Sequence, residues 1–320
     1  MKDVTVLARR KATAKKSAII TRAVRKRRPQ RRRVGRRGRG FFFCMLLVLA
    51  FALFFNHSYS TDGAVALGDN EIMVSFLDVG QGDSALIRSN GHAILIDGGE
   101  HSQRNVVMRY LRDAGIRRLD YVVATHPHSD HIGGLVTVLG SIDVGAVMMP
   151  DVTHTSATFE RFLEVIYNRN IPVVFPLPGD RVQAGILDFT VLGPPSPHPG
   201  PGSNLNNASI IMRLDHGQMS FLFTGDGERE LEYWLVSSGD NLSATVLQVG
   251  HHGSRTSTTE RFLDAVNPIA AVISLSANNT YGHPHREVLD RLHSRGIPIY
   301  RTDQLGTIRM ITDGQQIFFP

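Results

Sequence analysis

Residues 125–134 read THPHSDHIGG and place three histidines and one aspartate within six positions, ahead of two glycines. Imidazole and carboxylate together suit Zn²⁺, and also Mn²⁺ or Fe²⁺. Pro127 biases His126 toward an extended backbone, where residues two apart project to the same side, so His126 and His128 can point together. Asp130 and His131 follow where a helix is expected to start, and Gly133 and Gly134 permit close backbone packing behind it.

The chain offers more of the same chemistry downstream. FTGD ends on Asp226, VGHHGS carries His251 and His252, and NNTYGHPH carries His283 and His285. Seven of the 14 histidines thus fall in three clusters, each just beyond an expected strand. That distribution argues for an open, catalytic site with two cations, with Asp226 as the bridge because its two oxygens can reach both. Such a site lowers the pKa of a bridging water from about 15.7 toward roughly 7, supplying hydroxide at neutral pH. Asp130 is placed to be both ligand and proton acceptor. Tyr281, His285 or a cation would assist a leaving alkoxide. Asp78 is a candidate to orient a metal-binding histidine, against a plain turn role; Asp97 and Asp83 are read as turn or loop residues. Asn206, Asn207 and Ser209 are candidates to line the pocket, and Arg255 and Arg286 to contact a phosphate.

These residues need strand ends to hold them. Apolar runs predict strands over 71–79, 84–89, 92–99, 119–126, 171–175, 186–193, 209–216, 219–226, 244–252 and 270–276, with two more near the C-terminus. Helical spacing predicts helices over 105–115 and 158–170, one starting near Asp130, and others at ERELEYWLVSSG, TERFLDAV and HREVLDRLHSRG. Strands mix with helices throughout, so the class is α/β or α+β. Residues 194–207, with five prolines, form a long loop, and no internal repeat is visible.

Charge divides the chain. Of 35 Lys and Arg, 17 lie in residues 1–40 against one of the 29 acids, leaving 18 basic and 28 acidic side chains in the remaining 280 residues. The body is therefore acidic. Residues 41–55, FFFCMLLVLAFALFF, follow the basic run at once, the pattern of a secretory signal or signal anchor with its positive end in the cytoplasm. Fifteen helical residues rise only about 22 Å, short of the roughly 30 Å hydrocarbon core, so both a cleaved signal and a thin anchor fit. The expectation is a cytoplasmic tail (1–40), a signal peptide or anchor contacting the membrane (41–58), a linker (59–69) and a body (70–320) that is membrane-anchored facing outside, or secreted. The rival reading of the arginine run is a nucleic-acid or anionic-lipid patch. The single cysteine, Cys44, lies in the apolar run, so the body has neither disulfides nor a thiolate metal site.

In order along residues 70–313 stand FLDVGQGDS (76–84), LIDGG (95–99), THPHSDHIGG, NNASI (206–210), FTGD (223–226), VGHHGS (249–254) and NNTYGHPH (278–285). The HxHxDH signature resembles that of the metallo-β-lactamase superfamily. The full series is most similar to the ComEC-type hydrolase domain of competence proteins and to Gram-positive phosphorylcholine esterases. The resemblance implies a four-layer αββα sandwich with metals at one edge between the sheets. It also implies as ligands His126, His128, Asp130, His131, Asp226 and one of His251 and His252, with His283 a further candidate. His252 is preferred, since Gly253 follows it as in the family, which leaves His251 to orient a ligand. Many superfamily members carry another metal-binding histidine before the bridging aspartate; here the matching position is NNASI. His154, His198 and His216 are the histidines of that interval, and His198 and His216 are read as surface residues.

The function expected is that of a metallo-hydrolase outside the cytoplasm, holding two divalent ions, Zn²⁺ or Mn²⁺, and acting on an anionic phosphodiester. DNA and cell-surface phosphodiesters both qualify, although the acidic body weakens the case for the basic groove that DNA would want. The alternatives are hydrolysis of a carbon-centred ester, thioester or lactam, and a non-enzymatic metal-binding or nucleic-acid-binding accessory role. Oligomeric state has no signal in the sequence.

Overall fold

The structure, a computed structural model, describes residues 65–196 and 204–320. Among these, fifteen strands form two sheets. The first has the spatial order β15 (Ile317–Phe318), β14 (Ile308–Thr312), β1 (Ile72–Phe76), β2 (Ala85–Ser89), β3 (His92–Ile96), β4 (Arg118–Val123), β5 (Asp143–Met148), β6 (Val173–Val174). The second runs β13 (Ile299–Arg301), β12 (Ala270–Ile273), β11 (Val246–Gln248), β10 (Met219–Phe223), β9 (Ile211–His216), β8 (Leu187–Gly193), β7 (Arg181–Ala184). Strands β3 to β6 are mutually parallel, as are β10 to β13.

The two-residue period of a strand explains the layering. In β3, Ile94 and Ile96 enter a core that also holds Phe189, Phe221 and Phe223 of the second sheet. Ala93 and Leu95, on the opposite face, pack with helices α1 (Arg104–Asp113), α2 (Ser129–Ile132), α3 (Leu135–Ser141) and α4 (Ala157–Asn168). The second sheet repeats the scheme. Phe221, Val246 and Val272 face the first sheet, while Leu222, Leu247, Ala271 and Ile273 face α5 (Arg229–Ser238), α6 (Glu260–Val266) and α7 (Arg286–Ser294). The result is the expected helix–sheet–sheet–helix sandwich. Its central strands are apolar on both faces because both faces are covered.

The expected strands end earlier than their apolar runs. Strand β4 stops at Val123 because the next amide but one, Thr125 N–H, is taken by the Asp97 side chain at 2.8 Å. Polar neighbours and Gly145 hid β5 from the sequence reading, and the four-residue β7 was also missed. His216 is not the surface residue expected. It is buried at the end of β9, with Nε2 2.9 Å from the Asn70 carbonyl oxygen; His198 lies outside the described residues.

One expectation needs correcting. No helix among the described residues is long and apolar enough to cross a membrane, which goes against a membrane-anchored protein. The 41–55 run on which that placement rested, and the 1–40 tail, lie outside the described residues.

Phe221 fills the core between the sheets at 1% exposure. Phe221→Ala should cost about 3–5 kcal/mol in chemical denaturation, while Tyr167→Ala on the exposed face of α4 should stay within about 0.5 kcal/mol.

Candidate metal centre

Four parallel strands deliver the ligand-type side chains at their C-terminal ends. Residues 125–131 follow β4, Asp226 follows β10, His251 and His252 follow β11, and His283 lies in the loop after β12. Glycines let the loops close on one another. A Cβ on Gly134 would stand 2.0 Å from the Gly98 carbonyl oxygen, and one on Gly82 2.3 Å from that of Asp130.

Asp226 is the centre of the arrangement and is almost wholly buried. Its Oδ1 lies 3.2 Å from His131 Nε2 and 3.4 Å from His252 Nε2, and Asp130 Oδ2 is 3.3 Å from the latter nitrogen. Its Oδ2 faces the other way, 3.6 Å from His126 Nε2 and 3.8 Å from His251 Nε2. His126 Nε2 is in turn 3.0 Å from His128 Nδ1, so the two histidines do point together. Two sets of ligand atoms therefore share Asp226: Asp130, His131 and His252 on one side, His126 and His128 on the other, each set within 4.8 Å.

Neighbours set which nitrogen of each ring faces inward. Asp97, buried and with φ +56°, accepts Thr125 N–H and O–H and stands 2.8 Å from His131 Nδ1. That leaves His131 Nε2 turned toward Asp226. The Ser274 carbonyl oxygen does the same for His252, 3.1 Å from its Nδ1. Glu228 Oε1 lies 2.9 Å from His251 Nδ1. Ser209 Oγ accepts the Asp226 amide at 3.1 Å. His251 and His252 both have left-handed backbones, φ +48° and +53°, a strained geometry worth about 1–3 kcal/mol per residue that the surrounding loop must hold.

The residues fit divalent cations. His131 Nε2, His252 Nε2 and Asp226 Oδ1 are buried, converge on one another, and make no hydrogen bond, an arrangement that native interiors avoid unless another partner is intended. In the metal-free protein burial would lower His131 and His252, but the carboxylates outweigh it. Asp226, Asp97 and Asp130 hold His131 well above its ordinary value, and Asp226, Asp130 and Asp83 push His252 to about 9. Burial likewise opposes ionisation of Asp226, yet His131, His252 and His126 hold it well below the usual carboxylate range. His126 is driven well below its ordinary value by burial, helped by His131. The space between these carboxylates calls for positive charge.

A sequence profile of the Metallo-beta-lactamase superfamily matches residues 77–277. The chain belongs to that superfamily. ComE operon protein 3 of Bacillus subtilis (strain 168) is 34% identical over 254 residues, 74% of this chain and 32% of its own length. Competence protein ComA of Neisseria gonorrhoeae is 34% identical over 248 residues, 76% of this chain and 33% of its own. The chain thus spans about a third of the length of these curated relatives. CmlA, a diiron beta-hydroxylase from Streptomyces venezuelae, matches in fold with TM-score 0.51 at 14% identity, covering 78% of this chain and 54% of that one. The protein is a metal-dependent hydrolase of the metallo-β-lactamase fold, related to competence proteins.

Within this superfamily scaffold the remaining expected residues separate. His283 and Tyr281 line the cleft, their rings stacked at 5.6 Å, and His283 belongs to neither ligand set. Burial and the nearby His252, His251 and His285 rings push His283 down to about 4. His285 is not among the residues lining the cleft; its Nδ1 accepts Arg255 N–H at 3.1 Å at the start of α7. Asp78 does not orient a histidine; it is exposed, and its Oδ1 accepts Gly80 N–H in a local turn. Arg255 and Arg286 are exposed and outside the cleft wall, Arg286 pairing with Asp290. Asn206 lines the cleft.

Three participants escaped the sequence reading. Asp97 was taken for a turn residue, although LIDGG ends a strand. Asp83, read the same way, is buried 3.7 Å from His252 Nδ1, and burial pushes it up to about 6. His154 lines the cleft, its Nδ1 2.8 Å from Ser156 Oγ, the N-cap of α4. It follows β5, and recognising that strand would have placed it with the other strand-end histidines.

Asp97→Asn should weaken Zn²⁺ affinity about 10–100-fold, read by competition with a chelating dye, as expected of a group that orients a ligand. The raised His252 contributes stability to the metal-free protein that is complete below its ordinary 6.5 and lost as pH rises through about 9. Thermal unfolding of metal-free protein should show that decline, and His252→Gln should flatten it; an unchanged slope in the variant would assign the decline to other groups.

Proposed function

We propose that the protein is a phosphodiesterase that works with two divalent cations, Zn²⁺ or Mn²⁺. The observation that carries this reading is Asp226, whose two oxygens serve two separate ligand sets at the floor of an open cleft of about 320 Å³. Two cations held so would acidify a water and neutralise charge on the attacking and leaving oxygens of an in-line displacement. His126 and His128 would hold one, Asp130, His131 and His252 the other.

The chain's own groups supply the rest. The Asp130 side chain is 25% exposed against 3% for Asp226, so of the two carboxylates it is the one that can meet solvent and take a proton from water. Tyr281, 64% exposed at the mouth, is placed to hydrogen-bond a leaving oxygen. Gln81, Asn206 and His154 offer further polar contacts along the wall.

The described cleft wall contains neither arginine nor lysine. A diester with a single charge is matched by the cations alone, whereas a polyanion gripped along its length would need basic side chains there. A single phosphodiester group in a small substrate is therefore the favoured target, ahead of DNA. Absence of the usual middle histidine stands against a lactam.

Protein loaded with Zn²⁺ or Mn²⁺ should cleave a bis-aryl phosphodiester or an aryl phosphocholine faster than single-stranded DNA, and leave a cephalosporin intact. Cleavage of the cephalosporin alone would overturn the phosphodiester reading. Asp226→Ala should lower turnover by more than about 10³-fold, beyond the cost of one electrostatic donor, and reduce bound metal; normal metal content with retained turnover would remove Asp226 from the bridge.

A further inference from the structure

The set formed by His126 and His128 has two imidazoles and a shared carboxylate, one donor fewer than the set of Asp130, His131 and His252. We infer that His251 is its missing ligand and that Glu228 is the positioning residue that holds His251 in place, an inference that rests on the two-cation reading above.

Three observations carry it. The His251 Nε2 atom points into the cleft, 3.8 Å from Asp226 Oδ2, the oxygen that also faces His126. Its Nδ1 faces Glu228 Oε1 at 2.9 Å; with the ring hydrogen on Nδ1, the Nε2 lone pair is turned toward the cleft. His131, across the site, is held in the same manner by Asp97 at 2.8 Å. A carboxylate behind an inward-facing imidazole is the usual companion of a metal-binding histidine.

The third observation concerns the segment that lacks a histidine. Asn206 Nδ2 donates to Glu228 Oε1 at 3.2 Å, Asn207 Oδ1 accepts the Glu228 amide at 2.9 Å, and Asn204 Nδ2 donates to Glu228 Oε2. Thr256, from the loop that carries His251, donates to Oε1 at 2.9 Å. NNASI thus builds the seat for Glu228, and the ligand that segment does not supply comes from the other side of the cleft.

The paired left-handed residues then have a purpose. Consecutive positive φ values at His251 and His252 splay the two rings to 6.0 Å between centroids at 69°, so one loop serves both sets. His283, the other candidate for the vacant position, has its ring 5.5 Å from His251 and no carboxylate behind it.

The test is Zn²⁺ binding to the full-length metal-stripped protein, followed by calorimetry and by elemental analysis after desalting. Wild type should bind two equivalents. His251→Ala should keep one tight equivalent and weaken the other at least about 10-fold, Glu228→Gln should weaken that same equivalent about 10–100-fold, and His283→Ala should keep both. With Co²⁺ in place of Zn²⁺, visible absorption should change for one of the two equivalents in the His251 and Glu228 variants, which a general loss of structure would not produce. Two unaltered equivalents in His251→Ala, or loss of one in His283→Ala instead, would overturn the inference and leave the two-cation reading intact. Fewer than two equivalents in wild type would overturn both.

Discussion

A buried carboxylate with a different pair of imidazoles at each oxygen is the constraint from which the site grows. Asp226 is 2% exposed, and an ionised group in that position is stable only if positive charge surrounds it. Asp226 and the imidazoles around it come from three loops, after β4, β10 and β11, in two different sheets. No local segment can satisfy such a residue. Only a scaffold that brings the ends of both sheets to one edge can do so, and the αββα sandwich does this with parallel strands whose C-terminal ends open on the same cleft.

The scaffold also explains why so many backbone contacts at the site are close. The loops after β3 and β4 cross at Gly98 and Gly134, where no side chain fits. The positive φ angles at Asp97, His251 and His252 place non-glycine side chains in sparsely populated backbone regions. Backbone strain of this kind persists where the neighbouring structure over-determines it, and here the bonds His251 N–H to Gly225 O and Ser254 N–H to His251 O fix the loop from both sides.

A second theme is orientation from behind. Asp97 stands behind His131, the Ser274 carbonyl behind His252, and Glu228 behind His251, and in each case Nδ1 is engaged and Nε2 faces inward. The inward atoms then lack hydrogen-bond partners of their own, as His131 Nε2 and His252 Nε2 do. Imidazoles held from the outside and left without partners on the inside, as His131 and His252 are, stand ready for an occupant that supplies the missing partner.

The residues that converge at the site were legible from spacing, because imidazoles two apart on an extended chain can project to one side, and because strand-end clusters of the same chemistry recur along the chain. Strand and helix patterning gave the mixed α/β class, and the layers followed from the resemblance of the motif series to the superfamily. The roles of Asp78 and Asp97 were not legible. Both stand within two residues of a glycine near a strand end, and only the fold turns Asp97 toward His131 and Asp78 toward its own turn. Glu228 was also beyond reach, since its partner His251 lies 23 residues away in sequence. Local pattern determines which residues can bind and which faces are buried; which carboxylate backs which imidazole depends on contacts between distant loops, and those exist only once the two sheets have packed.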